Sequence, residues 1–262
     1  MIQPLNVFYF ECPNFGDAIN PFIFGKITSR PIRRCNILAT KQHVVGIGSI
    51  ANWANPNSIV IGSGLANKTD EINPHCTIRL LRGPISADIA RAGGNKSNFF
   101  LGDPVLALPK LLPINRAKTH EYGIIPHYVD YEKTMALLGN KYPNIKVIDI
   151  TTPPMLFVKD VFSCGKILSS SLHGLILADA YGIPNVKVNI SDSLFGDGTK
   201  FLDYYMSVGR EFKEYPIEEV VNVETGTVAN VFEAVKIRDL TENILKSFKD
   251  LKHKPPIHAQ WR

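Results

Sequence analysis

Short apolar runs alternate with amphipathic stretches along the chain, a pattern that predicts α/β units with mostly parallel strands. Leu5–Phe10 reads as a compact strand, followed by a loop over Cys12–Ile19. Asn20-Pro21 reads as a helix N-cap with proline at the first helical position, and Phe22, Ile23 and Ile27 supply the apolar stripe of that helix. Val44–Ile47, Ser58–Ile61 and Thr77–Leu81 are buried-strand candidates, two of which run into the glycine turns GIGS and GSGL. Gly83-Pro84 opens a helix over Ile85–Ala92 that Gly93-Gly94 closes. After Phe99–Leu101, the proline-marked segment Pro109–Pro113, continuing to about His120, reads as a linker.

The second half repeats the alternation. Tyr122–Ile125, Lys146–Ile150, Lys166–Leu168 and Val186–Ile190 read as strands, and Tyr131–Leu138, Met155–Phe162 and Leu172–Tyr181 as helices. A long final helix is expected from about Val228 to Lys252, with Val231, Phe232, Val235, Leu240, Ile244, Leu245, Phe248 and Leu251 at helical spacing. The expected organisation is two α/β domains, 1–115 and 116–262, the second carrying the terminal helix.

Composition narrows the class. The chain has 262 residues, 45% hydrophobic and 20% charged, which fits a folded globular protein rather than a disordered one. A net charge of +5 suits an anionic substrate or an anionic membrane face. No Lys/Arg block interleaved with aromatics appears, so nucleic acid is not an expected partner; Arg30, Arg33, Arg34 and the Lys246–Lys254 cluster read as solvated faces. Four isolated cysteines, Cys12, Cys35, Cys76 and Cys164, have no metal-ligand spacing and suit a reducing cytoplasm. No signal peptide and no membrane-spanning run is read.

Three small-residue turns are candidate anion cradles: Asn14-Phe15-Gly16-Asp17, Gly46-Ile47-Gly48-Ser49 and Gly62-Ser63-Gly64. Such turns at the carboxyl edge of a parallel sheet present backbone N–H groups to a negative ligand. Arg82 ends the Thr77–Leu81 strand, where a guanidinium can grip a carboxylate or phosphate with two bonds, while Arg79 falls on the other face. Ser169-Ser170-Ser171-Leu172-His173-Gly174 puts three hydroxyls and an imidazole at a helix start, a setting for anion binding and proton transfer. His127, after Pro126, is expected to face the same crevice from the opposite wall, and Asp103 reads as a helix cap or domain-edge anchor. No GxSxG elbow, HExxH pair or DxD pair is present.

In order, NFGD, GIGSI, VIGSGL, LRGPISAD, LGDPVLALP and SSSLHGLILADAYGIP resemble the polysaccharide pyruvyltransferase family, in its succinoglycan-type branch, over roughly residues 10–190. The resemblance implies a GT-B-like fold, two Rossmann-like domains facing across a cleft. It implies phosphoenolpyruvate as donor and no further cofactor. The acceptor would be a glycan or lipid-linked oligosaccharide whose hydroxyl pair becomes a pyruvate ketal, with peripheral membrane association open. The matching arginine and histidine are Arg82 and His173. Many members carry arginine where this chain has Ser171, which leaves Lys187 or Lys200 to supply the missing donor contact. His173 is the expected general acid/base and Asp17 a second group that orients or deprotonates the acceptor. Two rival readings are a nucleotide-sugar glycosyltransferase of the same fold, for which Glu218-Glu219 is the nearest carboxylate pair, and a non-catalytic glycan- or anion-binding module.

Overall fold

Runs of β-branched and aliphatic residues such as Ser58-Ile-Val-Ile-Gly-Ser63 are buried on both faces, as strands inside a parallel sheet must be. The structure is a computed structural model and describes residues 2–115, 117–139, 141–191, 196–235 and 237–253. Among the described residues one sheet holds β1 (Leu5–Phe8), β2 (Ile32–Arg34), β3 (His43–Val45), β4 (Ser58–Ser63), β5 (Thr77–Leu81) and β6 (Phe100–Leu101) in the order β2-β1-β3-β4-β5-β6. The other holds β7 (His120–Ile125), β8 (Ile145–Val147), β9 (Cys164–Ser169), β10 (Asn185–Asn189) and β11 (Glu214–Pro216) in the order β8-β7-β9-β10-β11. Every pairing within both sheets is parallel.

The two sheets share one winding rule. In each, the first strand lies between the second and the third, so the order reverses between β1 and β3 and again between β7 and β9. At such a reversal the connecting segments leave a crevice beyond the carboxyl ends of the strands. The NFGD and GIGS turns, His127 and the Ser169–Gly174 motif follow those four strands, whereas Gly62-Ser63-Gly64 and Arg82 stand at the ends of β4 and β5.

Strand alternation divides the core. Val7, Val44, Ile59, Ile61 and Leu80 join a central apolar cluster, while Phe8, Val45, Val60, Ile78 and Leu81 form a separate outer one. The central cluster continues through Phe15, Leu106 and Leu108 to Ile125, Phe157, Ile167 and Leu175 of the second half. Both sheets therefore bury one face in the same core, with the Phe15 and Phe157 rings 4.7 Å apart where they meet. The helix Leu172–Ala180 is buried at all nine positions and packs on β9, β10 and the Pro104–Ala107 turn, its one carboxylate, Asp179, held by Tyr204 and Arg210.

Several elements differ from the sequence reading. The expected 228–252 helix is reduced to Arg238–Ser247 followed by a short 3₁₀ turn at Lys249–Leu251. The preceding segment makes isolated β-bridges instead, Val221 with Val228 and Asn185 with Glu233. The helix Arg238–Ser247 packs against β5, β6 and the Pro104–Ala107 turn of the first half, and Phe248 at its end meets the Phe24 ring at a tilt, 5.1 Å between centroids. Asn20 is not the cap either, because the helix Asn20–Thr28 is preceded by Ile19. The Asn20 side chain instead accepts from Ile47 N–H and donates to the Gly16, Asp17 and Ile47 carbonyls, pinning the NFGD turn to the end of β3. The Arg33-Arg34 cluster forms edge strand β2, where charge protects an unpaired edge.

A shared core predicts one cooperative unit. Phe157→Ala is expected to cost about 3–5 kcal/mol and to lower a single calorimetric transition; two transitions, only one of them moved, would contradict it.

Candidate active site

A cavity of about 260 Å³ opens where the two switch points face each other. Asn14 and Asp17 reach it from the loop after β1, and Gly48, Ser49 and Ile50 from the turn after β3. His127 and Tyr128 come from the loop after β7, and Ser170, Ser171 and His173 from the start of the helix after β9. Lys200, on the helix Thr199–Ser207, completes the polar lining.

The turn after β3 is built for this approach. Gly48 has φ +139°, a conformation that favours glycine, and its carbonyl accepts from Ser63 Oγ at 2.9 Å and from Gly64 N–H at 3.0 Å. Ser63 also accepts from Ile50 N–H and is fully buried, so it holds the turn and does not line the cavity.

His173 lies between two carboxylates. Its Nε2 is 3.7 Å from Asp103 Oδ2, and both atoms are buried with no hydrogen-bond partner. Asp103 is fixed by its other oxygen, which accepts from Val105 N–H at 2.9 Å as the cap of the Pro104–Ala107 turn. The opposite, Nδ1 edge of the ring lies against Gly16, where a Cβ would overlap it. Asp17 is next to Gly16; its burial pushes the carboxyl up to about 6, against the opposing pull of His173 and of the Asn14 hydrogen bond.

The serines divide the work. Ser169 Oγ reaches the Ile125 and Ser171 carbonyls and accepts from Ser171 N–H, so it closes the strand-to-helix turn. Gly174 packs on that same Ser169 oxygen. Ser170 Oγ accepts from His127 N–H at 2.8 Å. Ser171 occupies the cap position without a side-chain cap bond, so the helix start and its N-terminal dipole face the cavity.

Arg82 does not line the cavity. It is 1% exposed and sits one layer behind, donating to Ser49 Oγ at 2.8 Å and to the Leu65 carbonyl at 2.7 Å, with Asp203 at 3.3 Å. Gly64 packs against its guanidinium. Lys187 is also buried away from the lining, bonded to Asn189 and paired with Glu214 at 3.2 Å. Lys200 reaches the lining; burial, then the charges of Arg82 and Lys187, pull it down to about 8. Burial and the Lys200 charge likewise lower His127, whose Nδ1 is buried without a partner. Glu218 and Glu219 are exposed on the short helix Ile217–Val220, outside the lining. Among the described residues no cluster of three metal-binding side chains occurs.

From the sequence, Asp103 reads as a helix cap or domain-edge anchor, and the structure makes it the cap of the Pro104–Ala107 turn. The approach of its second oxygen to His173 joins residues 70 positions apart and leaves no local signal. Phe10 and Tyr128 on the lining carry no sequence signal of a site, Phe10 reading as the end of the first strand and Tyr128 belonging to no motif.

Residues 32–192 match the sequence model of a family described as polysaccharide pyruvyl transferase. That span holds Ser49, Arg82, Asp103, His127 and His173, while Asp17 and Lys200 lie outside it. An uncharacterised protein of Acanthamoeba polyphaga mimivirus is 33% identical over 210 residues, 77% of this chain and 73% of that protein. Succinoglycan biosynthesis protein ExoV of Rhizobium meliloti (strain 1021) is 25% identical over 212 residues, 76% of this chain and 63% of ExoV.

The raised Asp17 carboxyl carries a stability cost. A folded-state pKa near 6 against an ordinary value near 4 contributes stability that is full below about pH 4 and is lost as pH rises through 6. Asp17→Asn is therefore expected to raise stability at pH 7.5 by up to ~3 kcal/mol and to change it little at pH 4. Thermal denaturation at the two pH values checks this; equal effects at both would remove the buried charge as the cause.

Proposed function

The chain belongs to the polysaccharide pyruvyl transferase family, and from that premise we propose that this pyruvyltransferase takes phosphoenolpyruvate as donor and closes a cyclic ketal across two hydroxyls of one acceptor sugar. The observation that carries the reading is the convergence of Lys200, a helix N-terminus and the His173–Asp17 pair on one small cavity. Phosphoenolpyruvate is a compact anion with a phosphate at one end and a carboxylate at the other. Lys200, the Ser170 and Ser171 hydroxyls and the helix start suit its charge, with Arg82 a fixed positive charge behind Ser49. Lys200 is the better candidate than Lys187 for the contact that relatives with arginine at position 171 would make, since it reaches the lining. Asn14, Gly48, Ser49 and His127 remain for the acceptor side.

The reaction balances on the chain's own groups and uses no metal. An acid, proposed as His173, gives a proton to C3 of the enol phosphate, which turns C3 into the methyl group and leaves C2 electron-poor. One sugar hydroxyl adds to C2 and gives its proton to Asp17, and a proton transfer from Asp17 to His173 restores both groups. The C2–O bond to phosphate then breaks, the neighbouring hydroxyl closes the ring, and the second proton leaves with phosphate. Asp17, with a carboxyl near 6, suits the hydroxyl deprotonation. Asp103 faces the Nε2 edge of His173 from behind, and Gly16 packs against the Nδ1 edge, so the ring is held between the Pro104–Ala107 turn and the NFGD turn.

The GT-B description of the two facing sheets, the cytoplasmic setting and a lipid-linked acceptor at an anionic membrane face belong to the same proposal. Its supports are the free thiols and the basic balance. No helix among the described residues is long and apolar enough to cross a membrane.

Acceptor-dependent phosphate release from phosphoenolpyruvate is the direct assay. His173→Gln is expected to lower kcat by about 10²–10⁴. Asp103→Asn, which retains a capping side chain, is expected to lower kcat about tenfold or more at unchanged KM and to shift the pH profile; full activity of either variant removes its assigned role. Lys200→Gln is expected to raise the KM for phosphoenolpyruvate by about 30-fold or more, and the wild-type KM is expected to climb above pH 8 as the ammonium deprotonates. A pH-independent KM would remove Lys200 from the donor site.

A further inference from the structure

The cavity is too small for a polymer. At about 260 Å³ it falls below the ~300–1,000 Å³ of pockets that enclose a drug-sized ligand. A glycan acceptor must leave all but its reacting sugar outside, against the mouth. That mouth is aromatic. Phe10, after β1, and Tyr128, after β7, line it from the two halves of the chain and are 39% and 48% exposed. Trp53, 48% exposed, extends the Phe10 side outward at a ring distance of 5.7 Å, and Phe8 braces Phe10 from beneath at the same distance. Tyr128 leans on the His127 ring at 4.3 Å.

Large rings held by ring contacts at a cavity mouth, edge-on for Phe10 and Trp53 and tilted for Tyr128, make a rigid surface with little ordering entropy to lose on binding. The chemistry that matches it is a pyranose. Its C–H bonds gather on the ring faces and meet the negative face of an aromatic ring, while its hydroxyls point sideways to water and polar groups. A lipid tail would call for an aliphatic lining, and the mouth is made of rings. We propose that Phe10, Trp53 and Tyr128 form an acceptor subsite for the sugar next to the one that is modified, so that the protein selects oligosaccharides over monosaccharides. The proposal rests on the cavity being the pyruvyl-transfer site.

Trp53 reports on its own occupancy once Trp261, the other tryptophan of the chain, is replaced by phenylalanine. Emission is followed on adding methyl glucoside and methyl galactoside, then methyl β-cellobioside and methyl β-lactoside, and separately vesicles of phosphatidylcholine with phosphatidylglycerol. The disaccharides are expected to change Trp53 emission at about tenfold lower concentration than the monosaccharides. Trp53→Ala and Tyr128→Ala are expected to raise the KM for a glycan acceptor by about 5- to 50-fold, with the KM for phosphoenolpyruvate and the thermal midpoint unchanged. Silence with all four sugars, a response to vesicles alone, or unchanged acceptor KM in both variants overturns the subsite. A sugar response without pyruvyl transfer upholds the subsite and counts against the reaction.

Discussion

Arg82 and Asp203 are both almost wholly buried, and neither charge is tolerable there alone. Asp203 takes Ser86 N–H at 3.0 Å and Ser86 Oγ at 2.7 Å as well as facing the guanidinium, so one carboxylate ties the end of β5 and the start of the helix Pro84–Ala92 to the helix Thr199–Ser207. Gly83 allows the close approach, since a Cβ there would strike the Asp203 backbone. The pair thereby fixes two parts of the cavity wall. Ser49 is held from behind by Arg82, and Lys200 rides on the helix that Asp203 anchors.

This arrangement separates charge that holds the site from charge that faces a ligand. Arg82 is consumed in structure and still biases the cavity, since it helps depress the Lys200 ammonium. A phosphate entering beside Lys200 would reverse that depression, which is how a crowded positive cluster favours an anion. Across the cavity, His173 and Asp17 form a region suited to moving protons, with Asp103 behind His173 in a role parallel to that of Arg82 behind Ser49.

Much of this architecture is legible from residue order. Buried runs such as Ser58–Ile61 and the Leu-Ile-Leu-rich Leu172–Ala180 stretch announce their elements, and the four turns that carry the site follow strands that the alternation predicts. The direction of Arg82 is not legible, because its partner comes 121 positions later on a helix without a clear apolar signal. The terminal helix misleads for a related reason. Its spacing extends back to Val228, but Asn185 at the start of β10 captures the backbone at Glu233, and the α-helix is confined to Arg238–Ser247. Asn20 looks like a cap by its position before proline, and its true partner, the end of β3, becomes visible only in three dimensions.

The helix that presents His173 is enclosed at every position, while the rings around the mouth stand half in water. Buried, densely packed segments are among the last to open in native-state fluctuations. Descendants of this chain are therefore free to change partners by exchanging rim residues at little cost to folding, whereas altering the reaction itself means disturbing the best protected part of the molecule. Diversification of this scaffold is channelled outward, toward what is recognised and away from what is done to it.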